Sequence, residues 1–520
     1  MKLTQLLTDS GIVTPPDLTV PGSDLVSGIA YDSRRVSPGN LFVAIPGHAV
    51  DGHDFIADAA RAGAICAVVE KDVADAPLPT VRVSSAREAL ADLACTYFEH
   101  PSEALLMIGV TGTNGKTTTA YLIESILTAA GHSVALTGTV DARLCGDPLD
   151  GGPSVAERTT PEAPELQALL AHVVSEGATA CVMEVSSHAL ALSRVRGCHY
   201  DAAVFTNLTT DHLDFHGTME GYFEAKRRLF TGLPGGRAVV NTDDAWGRKL
   251  LASVREPVTF GLGAGGTDAP PPLVTARDLM TDRDGIRFRA RTPAGEIIIT
   301  STLVGEHNVM NLLAAIAAAT AMKLSPEAIA EGLAVAPPVP GRLEPVDAGQ
   351  PYTVLVDYAH TPDALARLLT AVRPLAHAAP PTPPLSLRGE AVAAPDTPEV
   401  GRVITVFGCG GDRDTSKRAP MGAAAVEASD LVFITSDNPR SESPEAICEE
   451  IARGAKAAAG CTFSVVIDRK EAIRRALAEA HPGDVVLIAG KGHETTQVEG
   501  DRETPFDDRQ VARALIEGKA

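Results

Sequence analysis

Short apolar runs of strand length alternate with Ala-rich stretches of helical periodicity along most of the chain. That alternation predicts an α/β fold. ALLMIGV, from Ala104 to Val110, predicts a strand; TGTNGKTTT follows, then AYLIESILTAAG, which predicts a helix with Gly131 as its C-cap. ACVMEV, from Ala180 to Val185, predicts a strand ending in Glu184. Late in the chain VITVFG, DLVFITS and DVVLIAG read as three further strands, each ending in a polar, Gly-rich turn. The longest apolar stretch, Leu312 to Met322, is far short of a membrane span. MKLTQLLTDSG has no sustained apolar region, so no secretory signal is expected.

Pro and Gly punctuate this pattern. GAGGTDAPPPL, from Gly263 to Leu273, reads as a loop. The Pro-rich stretch from Ala376 to Gly401 separates a good helix (Asp363 to Val372) from a good strand (Val403 to Phe407). It is expected to be a disordered insertion within a domain. Edges near Glu103 and within APPVPGRLEPV (Ala336 to Val346) divide the chain into domains at 1–103, 104–338 and 339–520. No internal repeat is visible.

Charge narrows the function classes. With 66 acidic and 45 basic residues among 520, the net charge is −21. That excludes a general nucleic-acid binder but not a nucleotide enzyme with a locally basic pocket. Hydrophobic residues at 45% and charged residues at 21% argue against wholesale disorder. The eight cysteines are scattered without a CxxC pair, so they are expected to be reduced, small buried hydrophobes of a cytoplasmic protein.

TGTNGKTTT between strand and helix is a phosphate-binding loop. Its backbone N–H groups and the helix N-terminus cradle phosphates, Lys116 reaches the β- and γ-phosphates, and the Thr117 hydroxyl is a Mg²⁺ ligand. The usual spacing requires Gly at position 110, which is Val; Gly112 lies inside the loop instead. Glu184, at a strand end beside this loop, is placed to hold Mg²⁺. Asn207, Asp211 and His212 are further candidate ligands or orienters. In isolation Lys226 of YFEAKRRLF reads as a solvated helix lysine. The three late turns converge if their strands form a parallel open sheet. They bring Arg413 of GGDRD, Asn438 and Arg440 of DNPR, and Gly490 and Glu494 of GKGHE. Two arginines for carboxylates and one carboxylate for an ammonium imply a small zwitterion bearing carboxylates.

GTNGKT resembles the Mur ligases together with folylpolyglutamate synthetase, ATP-dependent ligases that join an amino acid to a carboxylate. The resemblance extends over essentially the whole chain apart from the Pro-rich insertion. It implies a three-domain architecture, with an N-terminal UDP-sugar-binding domain, a central P-loop ATPase and a Rossmann-like C-terminal domain for the amino acid. For ATP it implies Thr111, Gly112, Thr113, Asn114, Gly115, Lys116, Thr117 and Thr118, with Asn308 and Asn311 of GEHNVMN at the adenine. Capping a helix is the alternative for Asn308. Arg342 and Asp357 match positions that meet the nucleotide on domain closure; a salt bridge is the alternative for Arg342. Catalysis and the metal fall to Lys116, Thr117, Glu184, His212 and Lys226, the last as a carbamate.

The resemblance places the uridine diphosphate end of a UDP-N-acetylmuramoyl-L-alanyl-D-glutamate substrate at Ser33 and at His48, Ala49 and Val50. Arg34 and Arg35 are diphosphate partners or plain surface residues. The peptide end would meet Thr159, Thr160, Ser186 and Arg194. Arg158 and Leu192 depart from the expected Asn and Gln. DNPR resembles the signature of members that add meso-diaminopimelate, which implicates Arg413, Asp437, Asn438, Pro439, Arg440, Gly490 and Glu494. The implied cofactors are ATP and Mg²⁺, in a cytoplasmic monomer without nucleic-acid or membrane partners. A sister ligase adding lysine, a folylpolyglutamate synthetase-like ligase, and a nucleotide-binding protein with dead chemistry are the competing readings.

Overall fold

A computed structural model describes residues 1–16, 18–20, 22–47, 50–149, 159–232, 235–263, 271–282, 285–376 and 401–518. The expectations for His48, Ala49 and Arg158, for most of the loop at 263–273 and for the insertion between 376 and 401 lie outside these residues.

The first sheet pairs β1 (Gly28–Ala30), β2 (Asn40–Val43), β3 (Cys66–Val69) and β4 (Thr80–Arg82) in chain order, all parallel. Its two faces are covered by α1 (Leu3–Asp9), α2 (Ile56–Arg61) and α3 (Ala86–Tyr97). This burial on both faces explains the uninterrupted apolar strands CAVV and LFV.

The central region runs through β5 (Leu106–Thr111), α4 (Lys116–Ala129), β6 (Val134–Thr137), β7 (Ala142–Leu144), β8 (Asp147–Pro148), α5 (Ala163–Ser175) and β9 (Ala180–Glu184). It continues with α6 (Ser187–Ala191), β10 (Ala202–Phe205), α7 (Leu213–His216), α8 (Met219–Thr231), β11 (Arg237–Asn241), α9 (Ala245–Leu250) and β12 (Val258–Phe260). The strands form one sheet in the order β12-β11-β10-β5-β9-β6-β7-β8, parallel from β12 to β6. Ile108, Val110, Val182 and Val204 face α4, while Met107, Cys181, Met183 and Phe205 face α5 and α8. Next come an antiparallel sheet of β13 (Thr275–Asp282), β14 (Gly285–Thr292) and β15 (Gly295–Ser301), then α10 (Glu306–Ala321) and α11 (Pro326–Ala334). Strand β5 opens at Leu106, not Ala104, because Pro101–Ala104 forms a 3₁₀ turn. Helix α4 opens at Lys116, ahead of the apolar period, because its first turn buries threonines.

The last sheet is built from β16 (Glu344–Pro345), β17 (Thr353–Asp357), β18 (Val403–Phe407), β19 (Leu431–Ile434), β20 (Thr462–Val465) and β21 (Val485–Ala489). Its order is β16-β17-β21-β18-β19-β20, and only the β16 edge is antiparallel. The intervening helices are α12 (Pro362–Val372), α13 (Arg418–Ala428), α14 (Pro444–Ala457) and α15 (Arg469–Glu479). Ser325, Thr361 and Ser443 cap α11, α12 and α14, each followed by a Pro that needs no N–H partner. A hairpin of β22 (Thr496–Glu499) and β23 (Arg502–Pro505) and the helix α16 (Asp508–Ile516) close the chain.

All eight cysteines are free, but Cys145 is exposed and Cys198 and Cys461 are half-buried, which corrects the expectation of uniform burial. Among the described residues, no helix is long and apolar enough to cross a membrane.

Candidate active site

The loop after β5 is cradled by neighbours that leave no room for side chains. A Cβ on Gly112 would lie 1.9 Å from Thr206 Oγ1, and one on Gly115, at φ +82°, would lie 2.3 Å from Asn311 Oδ1. Val110, where the usual loop has Gly, lies within β5, opposite Val204 and Glu184. The loop therefore turns two positions later, on Gly112. Asn207 accepts from Asn114 N (2.9 Å) through its own side chain, and Thr113 Oγ1 contacts Tyr222 Oη (3.2 Å). Thr111 donates to Val185 O, and Thr118 is buried in the first turn of α4. Gly112→Ala is expected to weaken nucleotide binding at least about tenfold by overpacking at this contact, with the fold retained. Titration calorimetry with an ATP analogue, alongside a thermal melt, checks it.

Lys116 Nζ donates to the carbonyls of Gly112 (3.1 Å) and Thr113 (2.9 Å). Burial pushes its pKa down, against the support of Glu184 and Asp211. Glu184, at the end of β9, accepts from Thr139 N (2.8 Å) and Thr139 Oγ1 (3.0 Å). Lys226, on α8, is 1% exposed, with Nζ on the Gly112 carbonyl (2.8 Å) and over the Tyr222 ring. The solvated-lysine reading is thereby corrected. Burial, with repulsion from Lys116, holds the Lys226 pKa well below the usual lysine range. His212, at φ +55°, has Nε2 3.4 Å from Asp211 Oδ2; burial lowers its pKa, and Asp211 opposes that.

The peptide-end candidates pack beside Glu184. Thr160 Oγ1 donates to Glu184 O (2.9 Å) and contacts Ser186, Thr159 Oγ1 meets Thr139 Oγ1, and Arg194 donates to Thr160 O and pairs with Glu162. Leu192 is the C-cap of α6.

Asn308 lies inside the first turn of α10, whose N-cap is Gly305. Its Nδ2 donates to Val304 O and its Oδ1 accepts from Asn311 Nδ2, so the capping alternative is corrected. Arg342 makes no ion pair within 4 Å among the described residues. Its Nη2 donates to Thr117 Oγ1 (3.1 Å), and its guanidinium sits 4.5 Å from the Tyr358 ring centroid. Asp357, at the end of β17, uses its carboxylate on the N–H groups of Leu343 (2.7 Å) and Ala359 (2.8 Å) and so ties the hinge to the sheet. These groups border a cleft of about 1410 Å³ between the central and last sheets, lined by Lys116, Glu184, His212, Asn308, Arg342 and His360 among others.

The turns after β18, β19 and β21 do converge, as expected of a parallel open sheet. Gly411 N donates to Asn438 O, and Asn438 Nδ2 donates to Glu494 Oε2 (2.7 Å). Gly490, at φ +112°, leaves room for Asp437, whose Oδ2 would be 2.7 Å from a Cβ there. Arg440, at φ +52°, follows the buried Pro439 and is pinned by Val498 O and Gly500 N of the hairpin, while Nη1 donates to Gly411 O (2.7 Å). Arg413 stands apart: its side chain is exposed and bonds its neighbour's carbonyl, Asp412 O.

In the first domain the half-buried Ser33 opens a largely exposed 3₁₀ turn, and Val50 is exposed. Arg34 pairs with Asp32 and Arg35 with Glu165, so both guanidiniums already have carboxylates. Thr139, Tyr222, Tyr358, His360 and Lys491 are site residues that the sequence did not reveal. For Tyr222, Tyr358 and His360 the signal was adjacency to Lys226 and Asp357; Thr139 and Lys491 carried none of their own.

Three family descriptions match the chain: Mur ligase family, catalytic domain, at residues 25–98; Mur ligase middle domain at 110–319; and Mur ligase, glutamate ligase domain, at 384–492. The chain is 46% identical to the UDP-N-acetylmuramoyl-L-alanyl-D-glutamate--2,6-diaminopimelate ligase of Solibacter usitatus, over 95% of this chain and 94% of the relative. It is 44% identical to the ligase of the same name from Gloeobacter violaceus, over 99% and 98%. Among solved structures, a ligase of that name aligns with a TM-score of 0.66 at 29% identity, covering 100% and 99%. A MurF ligase from Thermotoga maritima in complex with ADP shares the fold, with a TM-score of 0.60 at 20% identity, covering 95% and 97%.

Proposed function

The chain belongs to the Mur ligase family, and from that membership we infer that it is an ATP-dependent amide-forming ligase of peptidoglycan precursor synthesis. It joins meso-diaminopimelate to the D-glutamate γ-carboxylate of UDP-N-acetylmuramoyl-L-alanyl-D-glutamate. The observation that carries this reading is the common edge of the last sheet. There Asn438, Arg440 and Glu494 stand along the same row of strand ends as Asp357 and Tyr358, which line the P-loop cleft. The residues divide into domains near 103 and 338, with the nucleotide sugar on the first, ATP on the second and the amino acid on the third.

Among the described residues, no three His, Cys, Asp or Glu side chains are close enough to hold an ion unaided. Mg²⁺ is a hard cation held by one or two protein oxygens together with substrate phosphates, and Thr117 and Glu184 present oxygens to the cleft. Thr117, Glu184 and His212 line the cleft and would hold it, with Lys226 beside them. Bound there, Mg²⁺ would neutralise phosphate charge. The lowered basicity of Lys226 favours the neutral amine, whose nitrogen adds to CO₂ and loses a proton to give an anionic carbamate. That supplies a carboxylate-like group where a lysine cation would repel the metal.

In the reaction the substrate γ-carboxylate attacks the γ-phosphorus of ATP, ADP leaves, and an acyl phosphate remains. The neutral amine of diaminopimelate attacks the acyl carbon, its proton passes to solvent, and phosphate departs as the amide forms. Lys116 and the loop N–H groups stabilise charge on the transferring phosphoryl group. Arg342, reaching from the hinge to Thr117, draws the last domain over the cleft and excludes water that would hydrolyse the acyl phosphate.

Specificity rests on Arg440. With Nη1 on Gly411 O and no other side-chain bond among the described residues, its Nε and Nη2 would take the distal carboxylate, a group that lysine lacks. Offered equal meso-diaminopimelate and L-lysine, the protein is expected to yield the diaminopimelate adduct, weighed by mass spectrometry. Arg440→Leu is expected to shrink the preference by about a hundredfold or more. A lysine adduct from the unmodified protein would keep the ligase but refute the role of Arg440.

A further inference from the structure

Lys491 lies between two glycines in the turn after β21, where its sequence context reads as solvent-facing. Its side chain is 0% exposed. Nζ donates to Asn438 Oδ1 (3.0 Å), Glu494 Oε2 (3.2 Å) and Thr496 O (2.7 Å), so three donors meet three acceptors. Glu494 Oε2 also accepts from Asn438 Nδ2 (2.7 Å), whereas Glu494 Oε1 accepts no bond among the described residues. One oxygen of this carboxylate is thus held from two sides and the other is left open.

Charge makes the arrangement demanding. Burial and the neighbouring Asp437 raise the pKa of Glu494, and Lys491 opposes them. Arg469, a second cation near the two carboxylates, is engaged by Asp508. Without the Lys491 cation, the buried Asp437 and the half-buried Glu494 would face each other as two carboxylates in one site, which favours protonating one of them. A protonated Glu494 is a poor partner for an ammonium.

We propose that Lys491 is the positioning residue of the amino-acid site, tying Asn438 and Glu494 into one arrangement that leaves Glu494 Oε1 to receive the distal ammonium of the substrate. This rests on the assignment of meso-diaminopimelate above. Lys491 touches no substrate; it acts through Glu494. The DNPR and GKGHE turns are then parts of a single device, with Arg440 reading the distal carboxylate and Glu494, set by Lys491, reading the distal amine.

The test compares meso-diaminopimelate with 2-aminopimelate, which keeps the reacting amine and both carboxylates but lacks the distal amine. The ratio of kcat/KM for the two is measured in the unmodified protein and in Lys491→Met. The unmodified protein is expected to favour diaminopimelate, and Lys491→Met to reduce that ratio by about tenfold or more, with the KM for ATP unchanged. A ratio that survives Lys491→Met overturns the proposal, as does an unmodified protein that does not distinguish the two amino acids. Equal loss with both amino acids at a constant ratio would make the lysine merely structural and also overturns it. If Lys491→Met does not fold, Lys491→Gln, which keeps donors without charge, carries the same comparison. Absence of any diaminopimelate product from the unmodified protein would instead refute the assigned reaction.

Discussion

Lys116→Met is expected to lower kcat by about 10²–10³-fold, the scale of removing one preorganised donor from a phosphoryl-transfer site. The lysine ammonium contacts only loop carbonyls, Gly112 O and Thr113 O, among the described residues. A triphosphate carries several negative charges into the same space, so the cation is worth most when charge moves onto the leaving oxygen. The fold loses little, because Lys116 and Thr113 line the cleft and the Gly112 carbonyl keeps its bond from Lys226. ADP release under single-turnover conditions should collapse while the melting temperature stays nearly constant. Lys116→Arg is expected not to rescue the rate, since its planar fork does not fit a pocket closed by Gly112 and Gly115. A variant that turned over normally would remove the phosphate-binding role from this loop.

Arg469→Ala is expected to destabilise the last domain by about 3–5 kcal/mol, the cost of stranding a buried charge. Arg469 and Asp508 have no exposed side-chain surface, and Nε and Nη2 meet the two carboxylate oxygens at 2.8 and 2.7 Å. The same guanidinium donates to Ser436 O (3.2 Å) and Ala489 O (3.0 Å), the strand ends that launch DNPR and GKGHE. Urea denaturation followed in the C-terminal transition is the measurement. The double replacement Arg469→Met with Asp508→Leu should recover most of the stability, because no unpaired charge remains. It should not recover amine affinity, because the two carbonyls still lack their donor. If the double variant is as unstable as the single one, the pair itself supplies net stability.

Neither arginine nor aspartate is conspicuous in the sequence. Arg469 opens RKEAIRRALAE, which reads as a polar surface helix, and its partner lies 39 positions further on. Lys226 reads locally as solvated, and only the resemblance of its segment to a known family marked it. Lys491 shows the same blindness at shorter range: a lysine between glycines carries no sign of burial. Capping, the alternative for Asn308, failed because Gly305, at φ +90°, took the cap position three residues earlier.

The phosphate-binding loop was legible because its geometry is local. A strand, a turn that tolerates only glycine and a helix N-terminus are consecutive, and backbone N–H groups do the binding. The strand ends behind DNPR, GGDRD and GKGHE were legible for a similar reason, since apolar runs of five residues or so followed by Gly-rich turns report strand length and direction. By itself, then, the sequence determined the α/β alternation, the nucleotide loop and the three turns that had to meet. Tertiary structure alone decided which polar side chains lost their water and what they paired with. Arg342 finds Thr117 across 225 positions, and Lys491 finds Asn438 across 53. The physical reason is range: hydrogen-bonded backbone and apolar periodicity act between near neighbours, whereas burial of a charge depends on which remote segments pack over it.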